Sequence, residues 1–126
     1  MATKTITANN APKAIGPYSQ AVKNGSWIFI SGCLPADPVT GELTGGDIRT
    51  QTQRVLENMQ EILKTAKTDF KHVIKTTVFL TNLSDFADMN EVYAKFFQEP
   101  YPARSTVQVA ALPKGALVEI EAVARK

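Results

Sequence analysis

A single sheet covered on one face by two helices is the fold this sequence predicts, and three observations predict it. Short runs rich in β-branched and aromatic residues occur toward both ends and in the middle of the chain. Two segments between them repeat their apolar residues at three- and four-residue steps, the period of a helix buried on one side. Gly and Pro punctuate the boundaries, at Gly16-Pro17, Asn24-Gly25, Pro35 to Gly46 and Pro100 to Pro102. With 126 residues, 44% of them hydrophobic, the chain can bury one core but not two, so residues 1–126 are expected to form one domain.

The elements follow in order. Ser19 to Lys23 and Ser26-Trp27-Ile28-Phe29-Ile30-Ser31 read as strands, with Asn24-Gly25 between them as a hairpin turn. From Asp47 to Ala66, the residues Ile48, Val55, Leu56, Met59, Ile62, Leu63 and Ala66 mark one face of a helix. Val73 to Leu80 is a β-branched run and reads as a strand. Ser84 to Phe97 carries Phe86, Met89, Val92, Tyr93, Phe96 and Phe97 at helical spacing, with Ser84 or Asp85 as its cap. Ser105 to Ala110 and Leu117 to Ala124 read as closing strands joined by a turn at Leu112-Pro113-Lys114-Gly115. In the last of these, alternation sets Val118, Ile120, Ala122 and Ala124 on one face and Leu117, Glu119, Glu121 and Val123 on the other. Neither face is wholly polar, which predicts that the second one packs against another subunit, in a closed ring.

Composition removes several functions. The formal net charge is +2 and the 14 Lys and Arg are spread along the chain, so no footprint for nucleic acid stands out. A single histidine, His72, argues against a multi-histidine metal site and against a Ser-His-Asp arrangement; it reads as a surface or strand-edge residue. Cys33 has no partner for an intramolecular disulfide and reads more readily as a small buried residue than as a nucleophile. Neither Gly-x-Gly-x-x-Gly nor a phosphate loop occurs, and Gly41 to Gly46 reads as a surface loop, so no nucleotide cofactor is indicated. No stretch has the length of an apolar transmembrane helix, and the first residues lack the features of a secretory or organellar leader. The expectation is a cytoplasmic protein, with an organellar pool left open.

What chemistry remains is concentrated in Pro102-Ala103-Arg104-Ser105-Thr106 and Glu119-Ile120-Glu121. They offer one guanidinium and paired carboxylates but no nucleophile, a combination suited to activating water on a small carboxylate-bearing molecule. Arg104 presents a planar fork that fits a carboxylate; its plain alternative is a solvated surface arginine. Glu119 lies among apolar neighbours that would raise its pKa toward proton exchange with water; its alternative is a rim carboxylate paired with a lysine. Tyr18, just after a rigid turn, either walls a pocket or packs over an edge strand. Ser31-Gly32 either offers a hydroxyl and an unobstructed N–H to a ligand or is a simple turn. Asn90 either reaches across an interface or is solvated.

In their order and spacing, Gly16-Pro17-Tyr18-Ser19-Gln20-Ala21, Ile30-Ser31-Gly32, Val73 to Phe79, Pro102-Ala103-Arg104-Ser105 and Glu119-Ile120-Glu121-Ala122 resemble the Rid family of reactive-intermediate deaminases, the YjgF type. The likeness runs over almost the whole chain and is greatest to the archetypal imine-deaminase branch. It implies a chorismate-mutase-like α+β fold, a mixed six-stranded sheet with two helices on one face, assembled as a homotrimer with clefts between subunits. The implied activity is hydrolysis of 2-imino acids such as 2-iminobutanoate and 2-iminopropanoate, released by pyridoxal-phosphate enzymes, to 2-oxo acids and ammonia. Neither a metal nor an organic cofactor is implied. Carried over residue by residue, the resemblance makes Arg104 the carboxylate anchor and Glu119 the group that orients or deprotonates water. Tyr18, Ser31, Gly32, Asn90 and Thr106 would line the cleft. Two positions depart from the commonest pattern: Thr106 stands where many members carry cysteine, and Cys33 where many carry glutamine. The alternatives from other classes are a 2-oxo acid-binding sensor or protein-interaction module, and an RNA-cleaving translation inhibitor. The last is disfavoured by the lack of a basic stripe, a histidine pair and clustered aromatics.

Overall fold

The structure, a computed structural model, describes residues 2–126. Its strands and helices are β1 (Lys4–Ile6), β2 (Ala21–Asn24), β3 (Trp27–Cys33), α1 (Ile48–Thr65), β4 (Val73–Leu80), α2 (Phe86–Tyr93), β5 (Ala103–Gln108) and β6 (Val118–Arg125). The six strands form one sheet in the order β1-β2-β3-β6-β4-β5. Only β4 and β5 pair in parallel, and the helix between them provides the crossover that parallel pairing needs. The expected α+β architecture, a mixed six-stranded sheet with two helices, is therefore present.

The helix α1 begins where the Asp47 carboxylate accepts a hydrogen bond from the Thr50 N–H and ends at Ala66, one residue before Lys67 turns to a positive φ of 61°. Its apolar stripe, Val55, Leu56, Met59, Ile62 and Leu63, shares one core with Ile28, Ile30, Val78, Ile120 and Ala122 from the sheet. Arg49 on α1 pairs with Asp88 and Glu91 on α2 and ties the two helices at their exposed edge.

The structure departs from the sequence reading at four points. The second helix was expected over residues 84–97, but its α-helical part is Phe86–Tyr93, preceded by a 3-10 turn at Leu83–Asp85. Phe96 and Phe97 leave the helix to meet Phe70 edge-on, at 5.6 and 5.0 Å between ring centres, so apolar spacing persists beyond the helical backbone. Asp85 stands at the N-cap of α2, as expected, but its side chain makes no capping bond; Asn82 instead caps the preceding 3-10 turn, accepting from the Ser84 N–H. The strand β1 was not expected from the residue pattern. It has three residues, only Ile6 among them buried, too few for alternation to show. Finally, β5 begins at Ala103, which places Arg104 within the strand, in register with Thr76.

Leu56 is fully buried and Asp47 holds an exposed cap. Leu56→Ala is expected to lower unfolding stability by about 2–5 kcal/mol and Asp47→Ala by about 1 kcal/mol. Urea unfolding of the two variants checks both values.

Candidate active site

Alternation in β6 divides the candidate residues. Val118, Ile120, Ala122 and Ala124 are buried beneath the helices, while Glu119 and Glu121 project from the opposite, open face. There Glu119 stands opposite Phe79 and Glu121 opposite Thr77. Partial burial raises the Glu119 pKa above its ordinary value of 4.5, and the charge of Glu121 raises it further. The alternative of a rim carboxylate paired with lysine fails for Glu119: among the described residues neither it nor Glu121 has a cation within salt-bridge distance.

Gly32 presses against Glu119. Ile30 pairs with Ala122 and Cys33 with Ile120, so β3 carries one residue more than β6 across this interval, a bulge at Ser31-Gly32. A methyl group on Gly32 would lie 2.7 Å from the Glu119 carboxyl carbon, and closer still to Oε2. The Ser31 hydroxyl donates to the Ser19 carbonyl at 2.6 Å, which leaves its oxygen lone pairs for a ligand. Tyr18 is half exposed, and its hydroxyl accepts from the Ile15 N–H at 3.4 Å. Tyr18, Ser31 and Gly32 line one small cavity of about 80 Å³, together with Ile15, Leu34 and Ile62. Cys33 borders it too, but burial, aided by the charge of Glu119, pushes its thiol up to about 12, so no thiolate nucleophile forms at neutral pH.

Arg104 belongs to a second group. It is paired with Thr76, whose side chain is buried under α2, so it projects on the helix side of the edge strand β5. Its guanidinium carbon lies 4.8 Å from the centre of the Tyr93 ring and 5.5 Å from that of Phe86. Among the described residues no carboxylate lies within salt-bridge distance of it. Asn90, Tyr101 and Pro102 complete a broad depression around Arg104 and Tyr93. Thr106 follows on the same side of β5; its hydroxyl is buried without a hydrogen-bond partner. Tyr18, Ser31 and Gly32 thus share one cavity, with Glu119 against Gly32, while Arg104 and Asn90 share another depression. Arg104 and Glu119 are two strands apart, roughly 10 Å across the sheet, on opposite faces.

Known proteins share this fold. Residues 8–126 match the family described as Endoribonuclease L-PSP. This chain belongs to that family, the Rid or YjgF type. It is 54% identical to a RutC family protein of Pyrococcus horikoshii, over 98% of each chain. It is 50% identical to the human 2-iminobutanoate/2-iminopropanoate deaminase, over 96% of this chain and 88% of that protein. The crystal structure of E. coli TdcF with bound serine superposes with a TM-score of 0.92 at 48% identity, over 98% of each chain.

Within this Rid chain, four polar side chains that sequence reasoning left unassigned support the candidate residues. Buried Gln20 accepts from the Ala8 N–H and donates to the Ala8 and Pro12 carbonyls, fixing the segment that leads to Tyr18. Asn58, on α1, donates to the Leu34 and Ala36 carbonyls behind the bulge. Tyr93 and Thr76 share a buried hydrogen bond of 2.8 Å beneath Arg104. Their only sequence signal was a polar group in an otherwise apolar pattern. Among the described residues no His, Cys, Asp or Glu side chains cluster in threes that would hold a metal ion, and no helix is long and apolar enough to cross a membrane.

Because Gly32 leaves the space that Glu119 fills, Gly32→Ala is expected to swing the carboxylate away. Turnover should fall about tenfold or more, as displacing this candidate base would make it, while the thermal midpoint moves by no more than a few degrees. Steady-state kinetics and calorimetry on the same sample check both.

Proposed function

We propose that this protein hydrolyses small 2-imino acids, 2-iminobutanoate and 2-iminopropanoate among them, to 2-oxo acids and ammonia, in clefts between the subunits of a homotrimer. The observation that carries the reading is Arg104: a half-buried guanidinium held over two aromatic rings with no carboxylate to neutralise it. A cation so placed fits an anionic ligand, and its planar fork matches a carboxylate. Serine, bound by the related TdcF, is a small molecule carrying such a group.

The chemistry asks little more of the protein. A protonated imine carbon is already electrophilic, so the residues need only hold a water against it. Arg104, with Asn90, holds the substrate carboxylate. Glu119, as its carboxylate, takes a proton from the attacking water and passes it to the departing nitrogen; the regenerated carboxylate then takes the hydroxyl proton as the carbinolamine collapses to the 2-oxo acid and ammonia. Holding the reactants in place supplies about 7–11 kcal/mol in favourable cases without a covalent step. Tyr18, Ser31 and the Gly32 N–H face the reacting end.

Subunit assembly supplies what one chain lacks. Arg104 and Glu119 lie on opposite faces of their own sheet, so they meet only if the β5 edge of one subunit approaches the open face of the next. That face exposes Trp27 and Phe29 beside Val123, apolar surface that a neighbour would cover. The contact joins unlike surfaces, and three such contacts close a ring with three equal sites.

The test follows the decay of 2-iminobutanoate, generated in situ by an amino-acid oxidase and trapped with semicarbazide. Wild type is expected to accelerate decay, and Arg104→Ala to lose about 10- to 100-fold in kcat/KM through one charged hydrogen-bonding partner. Tight 2-oxobutanoate binding with unchanged imine decay would instead identify a sensor. Glu119→Ala should reduce turnover more than Glu121→Ala, and equal losses in folded, assembled variants would reject the division of roles between them. The base must be ionised to act, so the acid limb of kcat/KM should lie above the ordinary glutamate value of 4.5. Glu121→Gln removes one cause of the raised pKa and should move that limb to lower pH; a pH–rate profile reads the sign.

A further inference from the structure

We infer that Tyr93 is a positioning residue for substrate recognition: its ring, fixed by a hydroxyl bond to Thr76 and flanked by Phe86, holds the Arg104 guanidinium in the orientation that receives the substrate carboxylate. This rests on the deaminase reading and names how its anchor is kept in place.

The geometry is a closed triangle. Thr76 on β4 and Arg104 on β5 are register partners, with side chains on the same face of the sheet. Tyr93, the last residue of α2, touches both: its hydroxyl meets Thr76 Oγ1 at 2.8 Å, and its ring lies under Arg104 at 4.8 Å. Phe97 stacks on the same ring, 4.2 Å between centres and 21° between planes. Tyr93 and Thr76 are both buried, at 6% and 0% exposure. Core packing alone does not require this polar pair, because Phe and Val would fill the same space with nothing left to satisfy. What the hydroxyl bond adds is a fixed ring plane.

A fixed ring plane matters to an arginine. A guanidinium resting on an aromatic face is held through its π-surface, which leaves the in-plane N–H groups free. An ion pair would hold it equally well but would occupy those donors and cancel its charge. Free in solvent, the side chain keeps its rotamer entropy, part of which substrate binding must otherwise overcome. The rings therefore prepare the anchor without consuming it. Desolvation raises the Tyr93 pKa, against the lowering effects of Thr76 and Arg104, so the phenol stays protonated and does not compete as an anion for the guanidinium.

The test compares Tyr93→Leu, which removes the ring, with Tyr93→Phe, which keeps it. In Tyr93→Leu the KM for 2-iminobutanoate should rise about tenfold with kcat within about twofold of wild type, the pattern of lost uniform binding. In Tyr93→Phe, which keeps the ring but loses the bond that fixes its plane, the KM should rise about two- to threefold. Calorimetric Kd values for 2-oxobutanoate should follow the same order. A structural role alone would lower the active fraction, and thus kcat, at unchanged KM; that result in Tyr93→Leu overturns the inference. Should Tyr93→Leu fail to fold, Phe86→Leu at a half-exposed position decides: a KM rise of about threefold supports ring positioning, and an unchanged KM rejects it. A wild type that binds 2-oxobutanoate without accelerating imine decay removes the deaminase reading, yet the Kd series still tests the ring. A wild type that neither binds nor turns over removes both.

Discussion

The sheet depends on β6 occupying the slot between β3 and β4. Its alternation allows no other register: a shift of one residue would bring Glu119, Glu121 and Val123 under the helices and expel Val118, Ile120, Ala122 and Ala124, all buried in the core. Burying two unpaired carboxylates there would cost several kcal/mol. The same register brings Glu119 beside the bulge at Ser31-Gly32 and leaves its flank open on the far side of the sheet. The strand that completes the core therefore also presents the candidate base.

Arg104 answers to a different constraint. It lies on an edge strand, where a long cationic side chain would ordinarily reach into water. Aromatic residues from α2 instead draw it across the sheet edge, and α2 is held over that edge by the Tyr93–Thr76 bond and by Arg49 pairing with Asp88 and Glu91. One group of site residues is thus set by the centre of the sheet and the other by helix packing at its rim. Arg104 and Glu119 themselves lie within strands. That suits the proposed reaction, in which placement of a water, rather than a covalent intermediate, lowers the barrier.

Much of this was legible in the residues because burial leaves a period. Both helices, the hairpin at Asn24-Gly25 and five of the strands follow from alternation or helical spacing, and the open apolar face follows from β6 alone. The end of α2 was not legible, since Phe96 and Phe97 continue the helical spacing while packing from a turn. Nor was β1, whose place depends on pairing with β2 rather than on a pattern of its own. Among the site residues, spacing alone favoured the ordinary readings of Arg104 and Glu119; likeness to a family reversed them, and the absence of a paired opposite charge beside either group in the fold agrees with the proposed roles. Tyr93 was read only as apolar because a helical-face pattern counts its ring and overlooks its hydroxyl. The division of the site between two faces was hidden as well, since it requires the strand order, which no local pattern encodes.

The strand order carries one more consequence, for assembly of the chain itself. The strands β3 and β4 are separated in sequence by α1, and both wait for β6, which follows them after α2 and β5. Until β6 docks, β3 and β4 keep unpaired inner edges and α1 has only part of the surface it covers in the finished fold. Loop-closure entropy must be met before the central pairings contribute, which makes folding slow relative to a bundle of local contacts. During that interval Ile28, Ile30, Val78 and Leu80 stand next to open strand edges, the kind of surface that recruits other chains. The sheet's most protected strand is thus the one whose late arrival most exposes its neighbours.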